Sequence, residues 1–343
     1  MTRPRLWIHG FGATIFAVHL GLALLSYLQA PVLWRPEDAP RAAAFFDSLG
    51  RQSTELTWDP STWLAASRLL FTSNEAVLLS YFVPLALAGL AAIAMLLMLE
   101  RHAELSDERT ARLLRRWSIA FALACFGAFP VFTQDLWLSA AWGRMIVAGE
   151  NPYHSLFTPE FLTGLPLDHF PMMMSYGPLW ALISGAVVLL AWDNAVAIGL
   201  LLKALIAAAW VTALLLIDGM HRGRSARERC LAIVQFGWVP LGVSQSVAEG
   251  HNDIVMIAPA VLWFVLLMRR QGSAPIALIT SVLCKYVTAP LFLIDLIAAF
   301  RRDRLTLLAY ILRMTGAALI AVACLALFIR SPAFFDGLRL ISA

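Results

Sequence analysis

Residues 195–217 read AVAIGLLLKALIAAAWVTALLLI, a run of 23 residues in which Lys203 is the only charge. A helix needs about 20 mostly apolar residues to cross the hydrocarbon core of a bilayer, so this run predicts a membrane-spanning helix. Similar runs predict further spanning helices at 6–30, 76–98, 117–134, 230–247 and 305–329. Shorter or interrupted apolar runs lie at 176–192, 254–268 and 274–300.

The composition of the whole chain agrees with a lipid environment. Of its 343 residues, 60% are hydrophobic and 14% are charged, against roughly 45–50% and about 25% in soluble domains. The net charge of +4 comes from short basic blocks between apolar runs, a pattern of membrane topology and not of a nucleic-acid-binding surface. All four cysteines lie in apolar runs, which excludes a disulfide scaffold and a CxxC zinc site. The sequence therefore predicts an all-α, polytopic membrane protein without a nucleic-acid partner.

The arginines assign the sides of the membrane, because basic residues are retained in cytoplasmic loops. Sixteen of the 26 basic residues fall in five blocks. These blocks lie at 3–5, 101–116, 222–229, 269–270 and 301–304. The connections 31–75 and 135–175 together hold five basic residues and ten carboxylates, so both are predicted to face outwards.

Two apolar segments conflict with simple alternation of sides. If 176–192 crossed, the arginines of 222–229 would lie outside, so we predict an interfacial or re-entrant segment with Trp180 and Trp192 at headgroup depth. Segment 274–300 lies between two basic blocks and is predicted to be a broken or hairpin element with its middle outward. The predicted parts are an N-terminal two-helix unit with an outer loop (1–116), a membrane module (117–300), and a C-terminal helix with a short tail (301–343).

Three polar clusters are predicted to lie on the outer side. The first is Gln134-Asp135-Leu136-Trp137, where the predicted span 117–134 ends and an amphipathic stretch begins. Asp135 either caps that stretch, a position that favours Asp, or is a functional carboxylate. Arg144 follows nine residues later, about 2.5 turns of helix, so the two side chains need not touch.

The second cluster, 249–253, reads Glu-Gly-His-Asn-Asp. Gly, Asn and Asp are typical of a tight turn, but two carboxylates and a histidine exceed what a turn requires. Ligation of a divalent ion by Glu249, His251 and Asp253 would be chemically reasonable. Their spacing fits no strong metal motif, so no metal site is predicted.

The third cluster surrounds Lys285, in the stretch Leu-Cys-Lys-Tyr-Val-Thr-Ala-Pro that ends at Pro290. Lys203 and Lys285 are the two lysines of the chain, and both lie in apolar runs. A charge at membrane depth costs about 2.5–3.5 kcal/mol on insertion scales, which makes it a candidate for function. Lys203 either has such a role or snorkels to the outer surface. Lys285 is predicted to bind a lipid phosphate, and Asp295 to pair with it or with an arginine.

Five motifs in order resemble one family. They are Asp135-Leu-Trp-Leu-Ser-Ala-Ala-Trp-Gly-Arg-Met145, Gly149-Glu-Asn-Pro-Tyr153, Ser175-Tyr-Gly-Pro-Leu-Trp180, Gly250-His-Asn-Asp253, and Lys285 with Pro290. The chain resembles the polyprenyl-phosphate-mannose-dependent mannosyltransferases of the C-type glycosyltransferase superfamily. It is most similar to the α-1,6-mannopyranosyltransferases that extend lipomannan in actinobacteria. The resemblance covers about 117–300.

This resemblance implies a helical bundle of the C-type (GT-C) kind, with outward-facing interfacial helices, in the plasma or inner membrane. It implies a sugar donor on a polyprenyl phosphate, with mannose as the expected sugar, and transfer to a glycan or glycolipid acceptor on the extracytoplasmic side of the membrane. In the superfamily an Asp of the first extracytoplasmic loop is the base, and that role maps onto Asp135. The donor carries its own leaving group, so no cofactor and no divalent metal are expected.

The reaction requires a base for the acceptor hydroxyl and a cation for the departing phosphate. Asp135 is the predicted base, Lys285 and Arg144 are the predicted phosphate-binding residues, and attack opposite the phosphate inverts the anomeric centre. Asp135, His251 and Lys285 are expected to line one outer cavity. The residues expected to bind sugar or acceptor are Glu249, His251, Asn252, Asp253, Tyr153 and Tyr176.

Two other classes of protein stay open. A secondary transporter also uses intramembrane Lys and Asp, but it typically shows inverted repeats, and no repeat is evident in this sequence. A non-catalytic membrane assembly subunit would account for the spans but not for three polar clusters predicted on one side.

Overall fold

The computed structural model describes residues 3–33, 74–156, 158–167, 173–300 and 304–328. Over these ranges every regular element is helical, which confirms the predicted all-α class. In chain order the α-helices are α1 (Arg3–Leu33), α2 (Asn74–Arg101), α3 (Glu108–Phe126), α4 (Asp135–Val147), α5 (Pro178–Leu190), α6 (Ala195–Met220), α7 (Ala226–Gly237), α8 (Pro240–Val243), α9 (Asp253–Met268), α10 (Ala274–Cys284), α11 (Leu291–Phe300) and α12 (Arg304–Ala326). Short 3₁₀ turns lie at Ala103–Leu105, Pro159–Leu162 and Tyr286–Thr288, and a π-helical turn lies at Ser244–Ala248. Most of the predicted outer loop 31–75 lies outside the described residues.

Four of these helices, α1, α2, α6 and α12, are long and apolar enough to cross a bilayer. They coincide with the runs predicted to span at 6–30, 76–98, 195–217 and 305–329, so these helices are confirmed. The chain is therefore a multi-pass membrane protein. The assignment of inner and outer sides stays a prediction.

The predicted spanning helix 117–134 is wrong at both ends. α3 begins earlier, inside the arginine block, where the Asp107 carboxylate accepts from Thr110 N at 2.7 Å and caps the first turn. α3 also ends earlier, and 127–134, which we call the approach segment, is not helical. Pro130 explains this end, because it lacks an amide hydrogen and disfavours helical backbone in the residue before it.

The prediction of one continuous spanning helix at 230–247 is also wrong. α7 is followed by a second piece, α8 with the π-helical turn Ser244–Ala248, and the two pieces meet at a bend of 53°. Pro240 begins the second piece and cannot donate the hydrogen bond that would continue the first. α7 itself begins at a capping box, in which Ser225 and Glu228 exchange side-chain to main-chain hydrogen bonds. The pair is a broken span or a re-entrant loop.

α5 lies in the segment that was predicted not to cross, 176–192. Its 13 residues make about 20 Å of helix, against a hydrocarbon core of about 30 Å. Trp180 is 1% exposed and donates from Nε1 to Ser139 Oγ at 3.0 Å, so its indole is packed inside the protein; its headgroup depth stays a prediction. Trp192 is 91% exposed, as an interfacial tryptophan would be.

The predicted break in 274–300 is confirmed. α10 ends at Cys284, and Lys285 has an extended backbone with φ −157° and ψ 124°. A 3₁₀ turn follows, and α11 begins only after Pro290. The outward placement of this break stays a prediction.

The chain divides into two compact units. The first unit comprises Met1–Leu136, Gly164–Asp168 and Lys203–His251, and the second comprises Trp137–Thr163, His169–Leu202 and Asn252–Ala343. In the first unit α1 packs against α2 and α3, and α3 packs against α7. In the second unit α10 packs against α5, α9 and α12. The three parts predicted from the sequence, 1–116, 117–300 and 301–343, have other boundaries than these two units, and that division stays a prediction.

Candidate active site

Asp135 and His251 form a carboxylate–imidazole pair in the first unit. Asp135 Oδ2 lies 2.8 Å from His251 Nδ1. Because an ionised carboxylate only accepts hydrogen bonds, Nδ1 carries the hydrogen. The side chains are 25% and 30% exposed, so a substrate can reach both. A helix cap does not require this histidine, and the geometry therefore favours the functional interpretation of Asp135.

Local main-chain contacts place both members of the pair. Asp135 is the first residue of α4, and its amide donates to Thr133 Oγ1 at 3.1 Å. Gly250 has φ +78°, and a Cβ at this position would lie 3.0 Å from Leu136 Cδ1. Glycine at this position therefore permits both the turn conformation and close packing against the start of α4.

Glu249 has an internal role in the structure. Its side chain is buried, and Oε2 accepts from Val131 N and Phe132 N, both at 2.9 Å. Burial raises the pKa of the Glu249 carboxyl above its ordinary value, although the two amide donors oppose the shift. The expected contact of Glu249 with sugar or acceptor stays a prediction.

Lys203 does not snorkel to the surface. It is 3% exposed, and its Nζ donates to Ala248 O at 3.0 Å and also to Ala128 O. Both carbonyls belong to the first unit, one in the approach segment and one just before the 249–253 cluster. This lysine therefore holds main chain together inside the protein.

Lys285 and Asp253 form an ion pair in the second unit. Lys285 Nζ lies 2.5 Å from Asp253 Oδ1 and 5.1 Å from the centre of the Tyr176 ring. The side chains of Lys285 and Asp253 are 30% and 43% exposed. Asp295, a predicted alternative partner, is buried and accepts from Trp263 Nε1 at 3.0 Å instead.

The motif Tyr176-Gly-Pro holds the main chain next to Lys285. Gly177 N donates to Cys284 O at 2.9 Å, and any Cβ on Gly177 would collide with the Leu283 carbonyl. Tyr153 Oη donates to Tyr176 O at 2.9 Å. Burial raises the pKa of the Tyr153 phenol well above its ordinary value, so it stays protonated and donates. The two tyrosines thus support the lysine, and their expected sugar contacts stay predictions.

Arg144 is bound within the second unit. Its side chain is 10% exposed, and Nε lies 2.6 Å from Asp193 Oδ1. Nη1 donates to Phe161 O at 3.0 Å and to Thr163 O at 2.6 Å. These contacts occupy the guanidinium and give it a structural role that the sequence did not indicate.

The buried side chain of Asn252 has a polar atom without a hydrogen-bond partner in the described part of the chain. Asn252 is 5% exposed, and its Oδ1 has no hydrogen-bond partner among the residues that the structure describes. No three His, Cys, Asp or Glu side chains of the described ranges cluster as ligands of a metal ion.

Residues 47–334 match the family model described as alpha-(1→6)-mannopyranosyltransferase, N-terminal domain. The chain belongs to this family. The resemblance stated from the motifs is thereby confirmed, and the protein is an enzyme, a glycosyltransferase of the mannosyltransferase class. No curated protein and no solved structure matches the chain.

Some contacts in this mannopyranosyltransferase had no signal in the sequence. The pairing of Asp295 with Trp263 joins residues 32 apart, and no pattern indicates it. Asp193, which binds Arg144, stands in the turn Trp-Asp-Asn and has φ +57°. A polar turn is visible in the sequence, but its partner is not.

Proposed function

We propose that this enzyme transfers a mannosyl unit from a polyprenyl-phosphate carrier to a hydroxyl group of a glycan or glycolipid acceptor. The reaction is proposed to occur on the outer side of the cell membrane, with inversion at the anomeric carbon. Membership of the family supports mannosyl transfer. The contact between Asp135 and His251 carries the assignment of the site.

Asp135 is proposed as the base. It accepts the proton of the acceptor hydroxyl while the oxygen attacks the anomeric carbon and the bond from that carbon to the phosphate oxygen breaks. His251, by donating to Oδ2, holds the carboxylate in one orientation. A positioned base of this kind contributes about 10²–10⁴-fold to the rate.

The same pair supports a second assignment of the proton. In a carboxylate–histidine couple, the carboxylate binds Nδ1–H and the imidazole takes the proton through Nε2. The observed contact through Nδ1 fits that arrangement as well. The two assignments differ in which substitution costs more activity, and that difference is testable.

Lys285 is proposed as the cation for the phosphate. The donor is a phosphodiester with one negative charge, and a second charge develops on the phosphate as the sugar leaves. A cation at this position therefore stabilises the transition state more than the bound donor. Lys285 is partly exposed and is held by Asp253 and the Tyr176 ring. Arg144 is already bound to Asp193 and to two main-chain carbonyls, so the phosphate is assigned to Lys285.

The acceptor or the sugar is proposed to contact the 252–253 end of the second cluster. The buried, unsatisfied Oδ1 of Asn252 requires a donor, and a sugar hydroxyl is one.

The test is transfer by the purified protein in nanodiscs, with polyprenyl-phosphate mannose and nucleotide-linked mannose offered separately. The proposal expects product from the lipid-linked donor, of opposite anomeric configuration to the donor by NMR. Asp135→Asn should abolish transfer, whereas Glu160→Gln, an exposed carboxylate of the same predicted outer connection, should leave it unchanged. Transfer from the nucleotide-linked donor alone, or retention of configuration, would overturn the proposal.

A further inference from the structure

Two buried ionisable side chains of the first unit, one basic and one acidic, have no part in the proposed chemistry. Lys203 is 3% exposed and Glu249 is 1% exposed. Each binds two main-chain groups, and the segments that they bind lead to Asp135 and to His251. Their contacts therefore converge on the chain that carries the proposed base.

Glu249 accepts hydrogen bonds from main-chain amides that have no helical carbonyl partner. The approach segment ends one residue before Asp135 and is not helical, so the amides of Val131 and Phe132 have no helical carbonyl as acceptor. Buried amides need an acceptor, and Glu249 Oε2 accepts from Val131 N and Phe132 N. Because Glu249 lies two residues before His251, this one carboxylate ties the approach segment to the histidine's own turn.

Lys203 makes a second tie between the same two pieces of chain. Its Nζ donates to Ala128 O in the approach segment and to Ala248 O, three residues before His251. Lys203 lies in α6, so the tie is anchored on a long spanning helix. A buried cation is costly, and well-packed apolar residues are often more stable in its place. Stability alone therefore does not account for a lysine at this position.

We propose that Lys203 and Glu249 are positioning residues that clamp the approach segment to the turn 244–251 and so set the contact between Asp135 and His251. The catalytic part of this inference rests on the proposed function. Neither residue touches the reacting atoms, and both act through the main chain. Loss of either tie should let Asp135 move relative to His251, while the phosphate-binding residues of the second unit keep their own contacts.

The experiment compares Glu249→Met, Glu249→Gln and Lys203→Met with the parent enzyme. The Met variants remove the acceptor or the donors, and kcat should fall by about 10²-fold, the cost of a misplacement near 1 Å. The KM for the donor should hardly change. Glu249→Gln should keep most of the activity, because an amide oxygen still accepts from both main-chain amides. If Glu249→Met is not recovered folded, Glu249→Asp replaces it, since its shorter carboxylate cannot reach both amides.

Asp218→Asn is the matched control for destabilisation. Asp218 is fully buried in the first unit, and its partners Arg115 and Arg229 lie outside both clamped segments. It should lower the apparent Tm without lowering kcat in the folded fraction. A loss of kcat in Asp218→Asn equal to that in Glu249→Met would overturn the inference.

A second readout does not depend on catalysis. Hydrogen exchange of the amides of Val131 and Phe132 should become faster in Glu249→Met and stay slow in Glu249→Gln. Cross-linking of an Asp135→Cys, His251→Cys pair should lose yield when Glu249→Met or Lys203→Met is added. Unchanged exchange and unchanged yield would refute the clamp, whereas an active Asp135→Asn enzyme would refute the proposed base and leave the clamp standing.

Discussion

His251 Nδ1 lies 2.8 Å from Asp135 Oδ2, although 116 residues separate the two in the chain. The contact joins the start of α4 to the turn after the π-helical segment Ser244–Ala248. Partial exposure of both side chains makes the pair accessible to a substrate hydroxyl. Some residues around this contact are proposed to meet substrate and others to hold the chain, and substitutions can separate the two groups.

Asp135→Asn should lower the rate of transfer by about 10²–10⁴-fold, because an amide cannot take the acceptor's proton. Asn has nearly the same size and is also favoured at helix N-termini, so folding should be preserved. Binding of the donor should hardly change, since Lys285 is assigned to the phosphate. The measurements are initial rates and equilibrium binding of a polyprenyl-phosphate mannose. Near-normal turnover would reduce Asp135 to a structural residue.

His251→Gln distinguishes the two assignments of the proton. The Gln amide still donates to the Asp135 carboxylate, so an enzyme with Asp135 as base should lose much less activity than Asp135→Asn. If His251 is the base, the order reverses and His251→Gln is the more damaged variant. Parallel rate measurements on both variants decide between the two assignments.

Lys285→Met and Arg144→Met each remove one cation, and together they test which of the two residues binds the phosphate. Lys285→Met should weaken binding of the donor by about 10–100-fold, the value of roughly 1.5–3 kcal/mol for a hydrogen bond to a charged group. Arg144→Met should leave the dissociation constant unchanged and lower the apparent Tm, because it leaves Asp193 and two carbonyls without their donor. If only Arg144→Met binds the donor more weakly, phosphate binding must be assigned to Arg144 and not to Lys285.

Asp218→Asn should destabilise the first unit strongly. Asp218 is fully buried and lies 2.6 Å from both Arg115 Nη1 and Arg229 Nε. Removal of one member of a buried ion pair costs about 3–5 kcal/mol, because the remaining charges stay buried. A large fall in apparent Tm in detergent is expected. Glu104→Gln, at an exposed pair with His102, is the control and should not change the Tm.

Cysteine labelling tests the predicted sides of the membrane. In a background with Cys324→Ser, which removes the cysteine that is not fully buried, Glu160→Cys and Trp192→Cys should both react with an impermeant reagent from outside. Arg224→Cys should react only after the membrane is opened. These results follow if α5 does not cross and α6 does. Reaction of Glu160→Cys and Trp192→Cys from opposite sides would contradict the prediction.

The spanning helices could be predicted from the sequence where apolar residues dominate a long run. α2 and α6 are such runs, and burial of apolar surface in lipid requires no knowledge of their neighbours. The errors fall at 117–134 and 230–247, where Asp107, Pro130 and Pro240 control the helix ends. Hydropathy sums over a window and does not register caps or the hydrogen bonds that a proline removes.

The amino-acid sequence was enough to predict the lipid environment, the helical class, the family, and Asp135, His251 and Lys285 as candidate site residues. Each of these follows from composition, from local order or from a motif. The partners of these side chains are seen only in the folded chain: His251 for Asp135, Asp253 for Lys285, and main chain for Lys203 and Glu249. A buried charge must be paired or hydrogen-bonded, but the chain offers many partners at long separation. Packing alone selects among them.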